Sequence, residues 1–221
     1  MNKTLLAANW KSNKTKFEAK DWLLEISSFE VSENLEIVIF PPFTLLDNLS
    51  GYVKVNSLPF KMGSQDISPY DSGPYTGEIN AHQIKEFAQY VLIGHSERRT
   101  NFSESNEIIN QKIEKAISSD LIPIVCVSSL EQIESINTDK KIILAYEPID
   151  AIGTGNPESP DKVKEFISNI KSNREYDIIY GGSVNADNIK SYLEIPGISG
   201  SLIGGESLDS SSFLKIIKNA S

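Results

Sequence analysis

The chain has 221 residues, a formal charge of −9 at pH 7 and a sequence pI near 4.8, a balance that argues against a nucleic-acid partner, because phosphate backbones are held by clustered Lys and Arg. Cys126 is the single cysteine, and there is neither a charged-plus-apolar leader nor an apolar run of about 18 residues, so no internal disulfide can form and a soluble protein of a reducing, cytoplasmic compartment, without a membrane partner, is expected. Residues 1–221 suit one well-buried domain, and neither a Cys/His metal cluster nor an early Gly-x-Gly-x-x-Gly is present.

Short apolar runs alternate with amphipathic stretches along the chain. Thr4 to Ala8 is the first predicted strand, followed by a helix over Phe17 to Ser28 with Trp22, Leu23 and Ile26 on one face. Glu36 to Phe40 is the second strand, ended by Pro41-Pro42, and Leu45, Leu46 and Leu49 predict a short helix after it. Phe60 to Ser64 is the third strand; a long polar segment and a helix from Ala81 to Ala88 lead to the fourth, Tyr90 to Gly94. A helix over Ser105 to Ser118 aligns Ile109, Ile113, Ala116 and Ile117, and Ile122 to Val127 is the fifth strand. The sixth is the Ile142 to Ala145 run, after which Ser159 caps a helix with Pro160 at its first position. Asp177 to Tyr180 and Ser201 to Ile203 are strands seven and eight, and a last helix starts near Ser210.

Eight strand-then-helix alternations, with strands too apolar to meet water on either face, predict an α/β fold: a closed (β/α)8 barrel rather than a doubly wound sheet. The chain is short for this architecture. Only Ser128 to Lys140 joins strands five and six, leaving room for roughly two helical turns, so a stunted fifth helix is expected.

Barrel enzymes carry their chemistry on the loops that follow strands. Strand six delivers Glu147 onto a turn stiffened by Pro148, as a general base is presented, and Ala151-Ile152-Gly153-Thr154-Gly155 follows like a lid. Strand one ends at Asn9-Trp10-Lys11, a cation suited to an anionic ligand in an acidic chain. Strand four ends at His95, where a following helical turn would disfavour the imidazolium and keep the ring neutral. Glu97 is expected to pair with Arg98 or Arg99, and His82 to lie on the surface. Gly181-Gly182-Ser183 and Gly204-Gly205, after strands seven and eight, offer amides to a phosphate. Singly, each position also admits a plain structural reading: a surface lysine, a core histidine, turn glycines.

Taken together and in order, Asn9-Trp10-Lys11, Gly94-His95-Ser96-Glu97-Arg98-Arg99, Ala145-Tyr146-Glu147-Pro148, Ala151-Ile152-Gly153-Thr154-Gly155, Tyr180-Gly181-Gly182-Ser183-Val184 and Leu202-Ile203-Gly204-Gly205 resemble the motifs of the triosephosphate isomerase family over nearly the whole chain. The resemblance implies interconversion of dihydroxyacetone phosphate and D-glyceraldehyde 3-phosphate through an enediolate, in glycolysis and gluconeogenesis, with no cofactor and no metal. It implies the family's own roles for matching residues: Glu147 as base, neutral His95 polarising the carbonyl, and Lys11 with Asn9 stabilising the oxyanion. The amides of Gly153, Ser183, Gly204 and Gly205 would hold the phosphate, and Ala151, Ile152, Gly153, Thr154 and Gly155 would close over it. Gln65, Thr76, Gly77 and Glu78 resemble the loop that inserts into a second subunit, which implies a homodimer with Thr76 near the partner's site.

The chain departs from the family at Asp150, where a lid-hinge tryptophan is usual, at Ser128-Ser129, where a Gly-Glu pair is usual, and at Asn156-Pro157-Glu158 on the lid's far side. Tryptophan and glutamate are hydrogen-bonding partners in the family, so their joint loss predicts altered lid kinetics with intact chemistry. Two rival readings are an aldolase, which needs a desolvated lysine that the strand interiors expected to carry chemistry lack, and a catalytically degenerate barrel that only binds phosphates. Retention of Lys11, His95 and Glu147 together speaks against the second.

Overall fold

The computed structural model, which describes residues 3–151, 156–170 and 176–221, joins eight parallel strands edge to edge into one closed barrel. They are β1 (Thr4–Asn9), β2 (Leu35–Phe40), β3 (Phe60–Ser64), β4 (Tyr90–Ile93), β5 (Ile122–Val127), β6 (Ile143–Tyr146), β7 (Asp177–Tyr180) and β8 (Ile198–Ile203). Each pairs with its successor, and β8 pairs with β1 from Leu5↔Gly200 to Ala8↔Ile203, which removes the exposed edge an open sheet would carry.

Side-chain alternation explains why these strands read as continuous apolar runs. Leu5, Ala7, Val38, Phe40, Leu92, Ile124, Cys126, Ala145, Ile179 and Leu202 form one cluster inside the barrel. Their alternates, among them Leu6, Ala8, Ile37, Ile39, Val91, Ile93, Val125, Leu144 and Ile203, belong to a second cluster against the helices. Gly200 serves the β8–β1 seam, where a Cβ would fall 2.0 Å from the Leu5 carbonyl oxygen.

The helices are α1 (Lys16–Ser27), α2 (Phe43–Val55), α3 (Ala81–Lys85), α4 (Ser96–Asn101), α5 (Asn106–Ser118), α6 (Leu130–Glu134), α7 (Pro160–Ser168), α8 (Ile189–Leu193) and α9 (Ser210–Ala220). Several starts are written in side chains: Thr15 with Glu18 and Asn80 with Gln83 form capping boxes, and Ser159 caps α7 with Pro160 at its first position. The second helix, expected to be short, runs 13 residues, because Val53 continues the buried stripe of Leu45, Leu46 and Leu49. The stunted fifth crossover is present: α6 has 5 residues and buries Ile133. No helix of the described residues is long and apolar enough to cross a membrane.

Candidate active site

The C-terminal ends of the strands converge on a cavity of about 230 Å³ lined by Asn9, Lys11, His95, Glu147, Gly181, Ser183, Val184, Asn185, Leu202, Gly204, Gly205 and Glu206. This is below the ~300–1,000 Å³ usual for drug-sized ligands, so it suits a small molecule. Among the described residues no cluster of three His, Cys, Asp or Glu side chains could hold a metal ion.

Strand β1 ends in a strained turn. Lys11 has φ +52°, a left-handed conformation that is uncommon outside glycine. It is held there from both sides: its N–H donates to Asn9 Oδ1 at 3.0 Å, and its carbonyl accepts from Gln65 Nε2 at 2.8 Å. The intervening Trp10 is buried edge-on against Trp22. Lys11 Nζ reaches across to Glu97 Oε1 at 2.5 Å. Gln65 also donates to the Phe40 carbonyl, so this residue of the expected dimer loop braces its own barrel mouth.

At the end of β4, Gly94 takes φ +68° and lets the chain turn sharply into α4; a Cβ there would meet Ile109 Cδ1 at 2.9 Å. His95 is the N-cap of α4, and its Nδ1 accepts from the Glu97 N–H at 3.2 Å. Its Nε2 lies 3.1 Å from Glu147 Oε1. Glu147, 2% exposed, also accepts from the Ser96 N–H at 3.3 Å. Glu97 pairs with Lys11, not with either neighbouring arginine: Arg98 goes to Asp66 and Glu104, and Arg99 to the Gly94 and Cys126 carbonyls and Asn106. Adjacent residues on a helix do not face each other, which is why the expected pairing fails.

The protonation of His95 is set by opposing influences. Burial lowers its pKa, but the charge of Glu147, the hydrogen bond to Glu147 and the charge of Glu97 together raise it above 6.5. An Nδ1 that accepts from an amide keeps its lone pair, so the hydrogen bonds assign a neutral ring with its proton on Nε2, facing Glu147. The raised pKa thus belongs to the contact with Glu147. In Glu147→Gln the His95 pKa should fall, read by NMR titration of the two histidines; an unchanged titration would place the cause at Glu97 instead.

After β6, a 3₁₀ turn spans Ile149–Ala151. Ala151 is buried and its carbonyl accepts from Ser183 Oγ at 2.5 Å. Ile152, Gly153, Thr154 and Gly155, together with the side chain of Asp150, lie outside the described residues. Beyond them, the Glu158 N–H donates to Tyr180 Oη at 3.0 Å. Ser183 is a second cavity-lining non-glycine residue at positive φ, +50°, and its carbonyl accepts from Asn188 Nδ2. Gly181 lies tight against the base: a Cβ there would sit 3.0 Å from Glu147 Cγ, so the glutamate side chain would have to give way slightly. Gly205 opens a 3₁₀ turn to Ser207, and among the described residues a Cβ there would meet nothing within 4 Å.

The chain therefore brings Asn9, Lys11, His95, Glu147, Ser183, Gly204 and Gly205 to one cavity. Thr76, Gly77 and Glu78 do not line it; they are exposed on a loop closed at its base by Ser68 N–H to the Ile79 carbonyl and stiffened by stacking of Tyr70 on Tyr75. Sequence reasoning overlooked Asn185, Leu202 and Glu206 as cavity walls and Glu97 as the partner of Lys11. The signal for Glu97 was its place two residues after His95, on the first turn of a helix aimed at the cavity.

Residues 4–220 match the family model described as triosephosphate isomerase. The triosephosphate isomerase of Mycoplasmopsis pulmonis is 39% identical over 245 aligned positions, covering 98% of this chain and 98% of that protein. That of Herminiimonas arsenicoxydans is 36% identical with both chains covered completely, and that of Chlamydia muridarum 38% identical over 95% of this chain and 88% of that protein.

Proposed function

The chain belongs to the triosephosphate isomerase family, and from that premise we propose which of its residues carry the reaction. The activity is the interconversion of dihydroxyacetone phosphate and D-glyceraldehyde 3-phosphate, a glycolytic step that moves a proton between adjacent carbons and asks for no redox cofactor. Glu147 removes the carbon-bound proton. His95 donates from Nε2 to the carbonyl oxygen, and Lys11, positioned by Asn9, stabilises the negative charge that develops there. The amides of Ser183, Gly204 and Gly205, with Gly153 of the lid, hold the phosphate; Ala151 to Gly155 exclude water and keep the enediolate from losing phosphate.

The observation that carries this reading is the meeting of Glu147 Oε1 and His95 Nε2 at 3.1 Å beside Lys11, on three strand ends far apart in sequence. A base and an electrophile this close can both reach one small substrate bound beside them in the cavity. Ser129 caps α6 through the Gln132 N–H, and the Ser128 N–H donates to Gln132 Oε1, so this pair serves its own short helix. We read the altered lid as one that opens and closes at a different rate without changing the proton transfer.

The enzyme acts as a cytoplasmic homodimer in this reading. The exposed, stiffened loop around Thr76 supports it, since a projecting structured loop with Tyr70 and Tyr75 on its surface is suited to burial in a second subunit. A coupled isomerase assay in the presence of chelator, on protein whose mass is fixed by sedimentation, tests both parts. Fast turnover by a species of twice the chain mass supports them. A folded protein that binds phosphate without turnover would make it a degenerate binding barrel, and turnover by a monomer would remove the dimer.

A further inference from the structure

The turn that follows β8 is fastened by side chains outside the cavity. Gly204 caps and Gly205 opens the 3₁₀ turn that ends at Ser207. Within it, the Ser207 N–H and Oγ both donate to the Gly204 carbonyl, at 2.9 and 2.7 Å. The carbonyls at its far end are held by residues from the start of the chain: that of Ser207 accepts from Trp22 Nε1 at 3.0 Å, and that of Leu208 from Lys14 Nζ at 2.6 Å. Ser207 and Trp22 are both buried, so removing the indole N–H would strand the Ser207 carbonyl away from water.

Lys14 is not placed as a surface lysine is. It takes φ +73°, three positions after the left-handed Lys11, and its ammonium lies 5.1 Å from the centroid of the Trp10 ring. Partial burial lowers its pKa, against the pull of the Glu18, Asp209 and Glu25 charges. A lysine that only solubilised the surface would extend into water and meet neither the strain nor the desolvation. What Lys14 reaches instead is a carbonyl 194 positions away in sequence. Trp10 packs edge-on against Trp22, and Trp22 against Phe213 of α9, the helix that follows the turn. Lys14, Trp10 and Trp22 thus form one bracket between the segment that carries Lys11 and the turn that carries Gly204 and Gly205. The two segments meet again in the cavity, where a Cβ on Gly204 would come 3.5 Å from Lys11 Cε. Neither Lys14 nor Trp22 lines that cavity.

We propose that Lys14 is a positioning residue for the substrate's phosphate: together with Trp22 it holds the carbonyl end of the turn over residues 205–208, and so keeps the amides of Gly204 and Gly205 set on the anion. The proposal rests on the functional reading above. Such a role serves only ligands that carry a phosphate. Lys14→Met keeps the length of the side chain and removes the ammonium. It should raise KM for D-glyceraldehyde 3-phosphate and the inhibition constant of inorganic phosphate together, by about two- to tenfold, the span of one net hydrogen bond, with kcat changed less. Deuterium exchange into D-glyceraldehyde, which has no phosphate, should keep its wild-type rate. Lys14→Arg, which retains a cationic donor, should restore both constants, and Trp22→Phe, which loses only the second donor, should shift them as Lys14→Met does. A Lys14→Met protein with a lowered melting temperature but wild-type constants would overturn the proposal and leave a packing residue. An equal loss with D-glyceraldehyde would also overturn it, because Lys14 would then act through Trp10 on the Lys11 turn. Absence of isomerase activity in the wild type would instead refute the functional reading, while calorimetric titration of inorganic phosphate into wild type and Lys14→Met still judges the turn.

Discussion

Glu147→Gln is expected to lower kcat by about 10²–10⁴-fold, the usual worth of a positioned general base, with KM changed far less. Glutamine matches glutamate in size, and the space that Gly181 leaves beside Glu147 Cγ accommodates it without repacking. Its carbonyl oxygen can still accept from the Ser96 N–H that Glu147 Oε2 uses at 3.3 Å. What is lost is the basic oxygen beside His95 Nε2. The amide cannot take a carbon-bound proton, and its loss is felt only as the transition state is approached, which is why kcat and kcat/KM should fall together. Steady-state kinetics in both directions, with circular dichroism confirming the fold, make the check. A fall of less than about tenfold in kcat would show that another group removes the proton.

The barrel was legible because a closed parallel sheet buries both faces of its strands, and this writes the same signal eight times. Where that signal weakened, the reading weakened with it. The eighth strand was read from Ser201, yet β8 begins at Ile198, since Ser199 and Gly200 interrupt the apolar run. Gly200 is there because the Leu5 backbone leaves no room for a side chain, a tertiary demand that no local pattern announces. The α8 helix went unread because its five residues bury only Ile189 and Tyr192 and its start carries no side-chain cap, whereas the equally short α3 opens on a capping box.

Much of the site was legible for a different reason: strand ends of a barrel must converge, so residues following strands share a cavity even when 138 positions separate Asn9 from Glu147. Partners were harder to see. That Lys11 meets Glu97, and that Gln65 holds the Lys11 carbonyl, depends on side-chain directions fixed by the whole barrel. The positive φ of Lys11 and Ser183 was equally hidden, because neither residue type advertises a left-handed conformation. Backbone strain at two cavity residues is what a preorganised site stores, and only the folded chain displays it.

Lys112→Met is expected to carry the largest cost in stability, about 3 kcal/mol at neutral pH, the lower end for breaking a buried ion pair from one side. Lys112 is 3% exposed and donates from Nζ to Asp66 Oδ1 at 2.6 Å and Glu104 Oε1 at 2.5 Å. Methionine fills the same volume but leaves half-buried Asp66 and buried Glu104 with Arg98 as their one remaining ion-pair partner among the described residues. Among the described residues the second oxygen of Glu104 already has no hydrogen-bond partner. Burial raises the Asp66 pKa above 3.8, with Lys112 the main charge opposing it. A carboxyl raised in this way favours the native state at acid pH and penalises it as pH climbs through the folded value, so its cost is full at pH 7. Removing Lys112 raises that value further. The stability gap between variant and wild type should therefore be wide at pH 7 and narrower at an acidic pH, where Asp66 of the variant takes up a proton. Urea unfolding at both pH values, at one fixed protein concentration because association adds to stability, reads the gap directly. A gap below about 1 kcal/mol at pH 7, or one that widens on acidification, would mean that Arg98 alone satisfies both carboxylates.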